Sequence, residues 1–469
     1  MTDLPPSAAE IVARCASGET TPEAEVARSL DAIDSRNPAL NAFSVVLDDR
    51  AREQARFLSL GQGETHGPLY GVPVAIKEEL DVAGCVTTFG GRGNSTPAAE
   101  DGEVVRRLRE AGAVVVGKTQ MPEFGAYPYT ESVAHGYTRN PWRTAFSPGG
   151  SSGGSAVAVA TGMVPVALGG DGGGSIRIPA SWCGLFGLKP QRGRVTSAPQ
   201  EHLWWALGTA GPLTRTVLDS AIVYDVIRGH LPVDRWRAGE VGSFTEAARR
   251  DPGRLRVGWC VTPPTKGLRP HDDHVTAVRD TARLLSDLGH EVHEVDPHYP
   301  DPTAAFVPQF FAGIRTESDA VEHYARLERR TRETYRLGSW VTPKVIRAAL
   351  RHTERISRKA NRVFDPSTGS GQRRVDVLLT PVTANRPPRV GVLDRTGTVR
   401  ASMRSVPAIT YAAIWNVAGN PACSVPAGTG ADGLPVGVQL VGPTDGEERL
   451  LSLAAQLERA RPWPLVAAG

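Results

Sequence analysis

The sequence predicts an α/β protein, a buried β-sheet with helices on its faces. Three observations lead there. Apolar runs of strand length recur at VPVAIK (72–77), AVVVGKT (113–119), MVPVALGG (163–170), VDVLLTPVT (375–383) and PVGVQLVG (435–442). Such runs, bounded by turn residues, fit strands buried on both faces. Segments with helical periodicity alternate with them, and that order of elements builds a sheet covered by helices. The chain has 469 residues, 40% apolar and 22% charged, which is ordinary for a globular protein and enough to bury a sizeable core.

In chain order, residues 7–58 read as helices. SAAEIVARCASGE has apolar positions at helical spacing and ends near Gly18. TTPEAEVARSLDAIDSRNP opens on a Thr cap with Pro behind it, and Asn37-Pro38 reads as its stop. A glycine-rich turn at 61–67 leads into VPVAIK. GEVVRRLREAG (102–112) is an amphipathic helix, and AVVVGKT the strand after it. SAVAVATG (155–162) is a helix of small residues, suited to very close packing. MVPVALGG then delivers the chain into DGGGS (171–175). Residues 230–400 mix proline-rich loops such as VTPPTKG and HYPDP with charged helices, and DPSTGSGQRR (365–374) reads as an exposed loop. PVGVQLVG and ERLLSLAAQLERA restore the strand and helix pattern at the C-terminal end. No internal repeat is apparent.

Composition excludes several classes. The net charge is +3, and acids interrupt the basic stretches RTRETYR and RHTERISRK, so these are solvated helix faces and not a nucleic-acid surface. No window of 18 apolar residues exists to span a membrane. MTDLPPSAAEIVARC lacks the basic and apolar regions of a secretory signal. Cys15, Cys85, Cys183, Cys260 and Cys423 are odd in number and widely spaced, which fits reduced thiols in a cytoplasm. None of the 11 histidines has a metal-binding spacing. HDDH (271–274) reads as a helix cap.

The chemistry concentrates between Pro148 and Arg194. Ser175 follows Gly172, Gly173 and Gly174 at the end of an apolar strand. Successive glycine N–H groups form a nest that binds negative charge, as an oxyanion hole requires. By itself GGGS reads first as a tight turn with a solvated serine. Ser151 lies 24 positions earlier in GGSSGGS, with Ser152 and Ser155 as competitors. Lys77 ends VPVAIK and is followed by Glu78 and Glu79. A lysine serving as a base must be uncharged, and burial behind an apolar strand disfavours the charged form. The plainer reading is a lysine paired with a neighbouring acid. Two other patterns mislead. GAVVVGKT (112–119) matches the phosphate-loop pattern, but such a loop follows a strand, whereas here a helix precedes and AVVV is itself the strand. GSSGG (150–154) matches a nucleophile elbow around Ser152, but TAFSPGG is a poor strand to precede it.

These segments resemble the amidase signature family. GGSSGGSAVAVATG with GGDGGGSIRIPASWCGLFGLKPQRGRV is similar to its defining stretch, and GPLYGVPVAIKEELDVAG to its lysine segment. TRNPW (138–142), GPLTRTVLD (211–219) and GNPACSVPAG with GLPVGVQLVG (419–442) extend the likeness over nearly the whole chain. The resemblance implies the amidase signature fold, a large mixed central sheet with helices on both faces. It implies one domain over 1–469, with a core motif region at 70–220 and a variable region at about 230–370. By position, Ser175 matches the nucleophile, Ser151 the serine of an unusual cis peptide, and Lys77 the base. The amides of Gly172, Gly173, Gly174 and Ser175 match the oxyanion hole, and Asp171 and Arg177 hold the loop's shape. Gly172 departs from the pattern, since many members carry Thr there; the N–H is kept and a hydroxyl is lost.

The implied reaction is amide hydrolysis through an acyl-enzyme, with no cofactor and no metal. The implied partner is a small-molecule amide, without nucleic acid or membrane, and homodimers are common in the family. The alternatives are an acyl-transfer or amide-forming enzyme and a glutamine-dependent amidotransferase subunit, both with the same triad. MPEFGAYPYTESVAHG (121–136) departs from that subunit's usual sequence. Tyr127, Trp204, Trp205, Phe310, Phe311 and Trp415 are candidates for the acyl pocket, with Trp204 and Trp205 first because they follow the signature segment.

Overall fold

The computed structural model describes residues 4–60, 67–365 and 374–467. The turn expected at 61–67 and the loop expected at 365–374 lie almost entirely outside the described residues. The chain opens with α1 (Ala8–Ala16), capped by Ser7 and Glu10 in a reciprocal box, and α2 (Pro22–Leu40), capped by Thr21. Contrary to expectation, α2 runs through Asn37-Pro38. The stop is Asn41, whose left-handed backbone (φ 53°) ends the helix, while the Asn37 side chain accepts from the N–H groups of Ala42 and Phe43. A second correction follows. Residues 43–46 form β1 (Phe43–Val46), not helix, because they pair with a strand over 70 residues downstream. After it comes α3 (Asp48–Leu60).

The chain then continues through the predicted elements and several unpredicted ones. They are β2 (Pro73–Lys77), α4 (Glu103–Glu110) and β3 (Val114–Thr119), a small hairpin of β4 (Glu131–Ser132) and β5 (Gly136–Tyr137), then α5 (Gly153–Ala160) and β6 (Val166–Gly170). Next are α6 (Arg177–Cys183), β7 (Phe186–Lys189), β8 (Ala210–Thr214), α7 (Val217–Ile227) and α8 (Phe244–Arg249). The region read as irregular contains β9 (Arg256–Trp259), α9 (Asp272–Asp287), β10 (Glu291–Glu294) and the helices α10 (Thr303–Ala320), α11 (Arg329–Leu337) and α12 (Pro343–Ala360). The C-terminal part supplies β11 (Val377–Pro381), α13 (Thr398–Ala418), β12 (Ala422–Thr429), β13 (Pro435–Val441) and α14 (Glu447–Ala460).

Among the described residues eleven strands join in one mixed sheet, ordered β1-β3-β2-β6-β8-β7-β12-β13-β11-β9-β10. The pairs among β3, β2 and β6 are parallel, as are those among β11, β9 and β10, and the middle of the sheet is antiparallel. The supposedly variable region therefore closes one edge of the central sheet. Alternation along each strand separates two cores. Val74 and Ile76 face the core that contains residues of α1, α4, α7, α9 and α14, while Ala75 faces the core of α2, α3, α5 and α6. Every residue of α5 is buried. Its small side chains permit this: a Cβ on Gly154 would meet the Gln120 nitrogen at 2.4 Å and the Ala42 oxygen at 2.5 Å.

GAVVVGKT is strand in its second part, as β3, so it forms no phosphate loop. His271 caps α9 by accepting from the Asp273 N–H, as HDDH predicted. All five cysteines are buried and free. Among the described residues no helix is long and apolar enough to cross a membrane.

Candidate active site

Strands β2 and β6 are parallel neighbours, so their C-terminal ends emerge side by side. Lys77 is the last residue of β2, and the Asp171–Ser175 turn follows directly on β6. The loop before α5 adds Ser151 from the side, through a cis Gly150–Ser151 peptide. The three converge on one cavity of about 200 Å³, lined by Lys77, Ser151, Gly172 and Ser175 among others.

Lys77 is almost wholly buried. Its Nζ donates to Ser151 Oγ at 2.8 Å and to the Gly170 carbonyl at 3.4 Å, and pairs with Glu79 Oε1 at 3.1 Å. Lys77 thus has both a serine and an acidic partner. Glu78 turns away and pairs with buried Lys118 at 3.4 Å. The rival serines are engaged elsewhere. Ser152 Oγ exchanges bonds with the Gly170 backbone, and Ser155 Oγ bonds the Leu168 carbonyl and Thr119. No strand precedes Ser152, so the nucleophile-elbow pattern is coincidental.

The glycine turn is held from beneath by Asp171. Its carboxylate accepts from the Gly174 N–H at 2.7 Å and the Ile176 N–H at 3.2 Å. Arg177 clamps the same carboxylate with Nε at 2.9 Å and Nη2 at 3.0 Å, both side chains being fully buried. Arg177 also donates to Gln439, Asn416 and the Ala412 carbonyl, and Asn416 donates back to Asp171. Burial alone would raise the Asp171 carboxyl, but the Arg177 charge and these bonds outweigh it and hold it well below the usual carboxylate range.

This geometry corrects one expectation. The Gly174 N–H is spent on Asp171, so it is not a free donor towards the cavity. Among the described residues the N–H groups of Gly172, Gly173 and Ser175 make no hydrogen bond. Gly174 has a different reason to be glycine. Its φ is 120°, and a Cβ there would meet Ala412 Cβ at 2.7 Å and Ile178 Cδ1 at 2.8 Å. Gly174→Ala is expected to lose about 1–3 kcal/mol by overpacking and to distort the turn. Urea unfolding and an activity assay on the same preparation check this. At Gly172 a Cβ would meet nothing closer than the Trp204 ring at 3.4 Å, so the departure from threonine is not forced by space.

Of the aromatic candidates, only Trp204 lines this cavity. Its Nε1 donates to Glu317 Oε1 at 2.6 Å, and its ring packs edge-on to Phe310 at 5.5 Å. Trp205 faces a neighbouring cleft and stacks on His202. Tyr127 is core, packed with Ile178 and Trp182 beneath the Arg330 guanidinium. Trp415 is core, and Phe311 packs on Trp340. Sequence reading missed Phe89, Phe124, Glu79 and Glu317 as lining residues. Glu79 had a signal in its nearness to Lys77. Glu317 had none, lying over 200 positions away in a region without motifs. Among the described residues no cluster of three His, Cys, Asp or Glu side chains could hold a metal ion.

Comparison with known proteins agrees with this architecture. Residues 24–451 match the Amidase family profile. The chain is 47% identical over 439 residues to AmiB2 of Mycobacterium tuberculosis, itself an inferred amidase, covering 92% of this chain and 91% of that one. It is 33% identical to the 6-aminohexanoate-cyclic-dimer hydrolase of Paenarthrobacter ureafaciens, covering 95% and 93%. A solved structure of a 6-aminohexanoate cyclic dimer hydrolase superposes with a TM-score of 0.91 at 31% identity, covering 99% of this chain and 98% of that one. A bacterial aryl acylamidase superposes with a TM-score of 0.88 at 29% identity, covering 98% and 97%. The chain thus belongs to the amidase signature family, the hydrolases of amide C–N bonds.

Proposed function

We propose that this amidase works through a Ser175–Ser151–Lys77 relay. The observation that carries the reading is the 2.8 Å bond from Lys77 Nζ to Ser151 Oγ, beside the cavity that Ser175 also lines. Lys77, as the free amine, takes the Ser151 proton while Ser151 takes that of Ser175. Ser175 Oγ attacks the amide carbon, and the tetrahedral oxyanion is held by the N–H groups of Gly172, Gly173 and Ser175. The relay returns the proton to the leaving nitrogen, and the C–N bond breaks to an ester on Ser175. Water then attacks that ester, losing a proton to the relay, and releases the carboxylic acid. Asp171 and Arg177 position the turn and touch no reacting atom. The cavity, at about 200 Å³, is below the usual size of drug-ligand sites and favours a small amide.

The test is release of ammonia or amine from a panel of aliphatic, aryl and cyclic amides. Lys77→Ala is expected to cost about 10²–10⁴ in kcat, the usual worth of a positioned general base. A Lys77→Ala enzyme at the wild-type rate would remove lysine from the mechanism. Added amines separate hydrolysis from acyl transfer: a new amide product in place of acid would move the assignment to transfer.

A further inference from the structure

One carboxyl beside the cavity has no basic partner among the described residues. Lys77 is paired with Glu79, and Asp171 is closed off by Arg177. Glu317, reaching in from α10, is left over. One of its oxygens accepts the Trp204 Nε1–H; the other, Oε2, is buried and has no hydrogen-bond partner. Among the described residues no arginine or lysine lies within ion-pairing distance of Glu317. His202, another lining residue, supplies no cation, because burial lowers its pKa below the ordinary histidine value. An unsatisfied buried carboxyl is costly, and the fold keeps this one beside the reaction site.

The walls near it are aromatic. Trp204, Phe89 and Phe124 line the same cavity, with Phe89 and Phe124 tilted at 5.9 Å. A carboxylate together with aromatic faces is the combination that recognises an ammonium group, through a charge-assisted hydrogen bond and cation–π attraction. The turn that carries Trp204 is held in place from α10. Trp204 and Trp205 both adopt left-handed backbone (φ 47° and 57°), and the Ala206 N–H is anchored on Gln309 Oε1 at 2.9 Å, also from α10.

We propose that the cavity selects an amide that carries a protonated primary amine, and that Glu317 is the residue that receives the ammonium. This rests on the reading of the cavity as the amide site and adds its substrate class. Burial pushes the Glu317 carboxyl up to about 8; the Trp204 bond lowers it, nearby Glu79 raises it further, and Lys77 lowers it. The group is thus mostly protonated at neutral pH. An arriving ammonium replaces that proton, satisfies Oε2 and leaves the pair neutral.

The experiment measures binding of n-butylammonium and of its neutral isostere n-butanol by calorimetry in the Ser175→Ala protein. Expected is a preference for the ammonium of at least about tenfold, the scale of one charge-assisted bond. The preference should grow as pH rises from 7 to 9, since Glu317 ionises while butylammonium stays charged. Glu317→Gln, which keeps an oxygen for Trp204, should abolish the preference. Equal or tighter binding of butanol overturns the proposal, because the carboxyl would then serve a neutral polar group. So does a preference that survives in Glu317→Gln. If that variant does not fold, the pH dependence in Ser175→Ala alone decides. Because no turnover is needed, loss of the relay mechanism and loss of this proposal are read out separately.

Discussion

Ser175→Ala is expected to lower kcat by about 10⁶-fold, the scale seen when a serine nucleophile is deleted from a serine hydrolase. The protein should otherwise be unchanged. Among the described residues the Ser175 hydroxyl makes no hydrogen bond, so its removal strands no buried partner there. The N–H groups of the turn remain, and on the proposed mechanism the residual catalysis of an oxyanion hole should remain with them. Substrate binding should therefore persist in a nearly inert enzyme. The decisive measurement is single-turnover acid release together with thermal unfolding of both proteins. A variant that keeps a tenth of the wild-type rate would place the nucleophile elsewhere, with Ser151 the next candidate. Ser151→Ala differs in kind, since it removes the acceptor of a buried lysine and should lower stability as well as rate.

The second large effect lies one layer below the chemistry. Arg177→Met should destabilise the protein by about 3–5 kcal/mol, because Asp171 would stay buried without its countercharge. Replacing both residues, as Asp171→Leu with Arg177→Met, should cost less than the sum of the single changes, since neither charge is then orphaned. The pH dependence has a definite sign. The Asp171 carboxyl is depressed in the folded protein. Its contribution is complete above the unfolded-state pKa of about 3.9 and is lost as pH falls through the lower folded value. Stability from this pair should be flat between neutrality and about pH 4 and decline only in stronger acid. Urea midpoints across that range check it. A variant with wild-type stability at neutral pH would mean that Asn416 and the backbone donors suffice to hold Asp171. Activity should fall along with stability, because the same carboxylate fixes the Gly174 N–H and hence the direction of the neighbouring amides.

Sequence alone determined the α/β class and five strands of the sheet, β2, β3, β6, β11 and β13, while the family resemblance named Lys77, Ser151 and Ser175 as candidates. The reason is local. Apolar runs, caps and glycine turns are constraints written within a few residues, and the serine and lysine segments carry them in full. The strand after a helix ruled out the phosphate loop at 112–119 by the same kind of argument. Tertiary structure decided the rest. It chose Ser151 over Ser152 and Ser155, because only Ser151 meets Lys77. It ended α2 at Asn41 and made β1 a strand, because pairing across the sheet outweighs local propensity there. It committed the Gly174 N–H to Asp171 and brought Asn416 to that carboxylate from 245 positions away. It sorted Trp204 from Trp205, neighbours with the same side chain whose backbone turns them into different clefts. And it carried Glu317 on α10 to the cavity wall. Contacts between distant segments are set by how the sheet and its helices pack, and no local pattern records them.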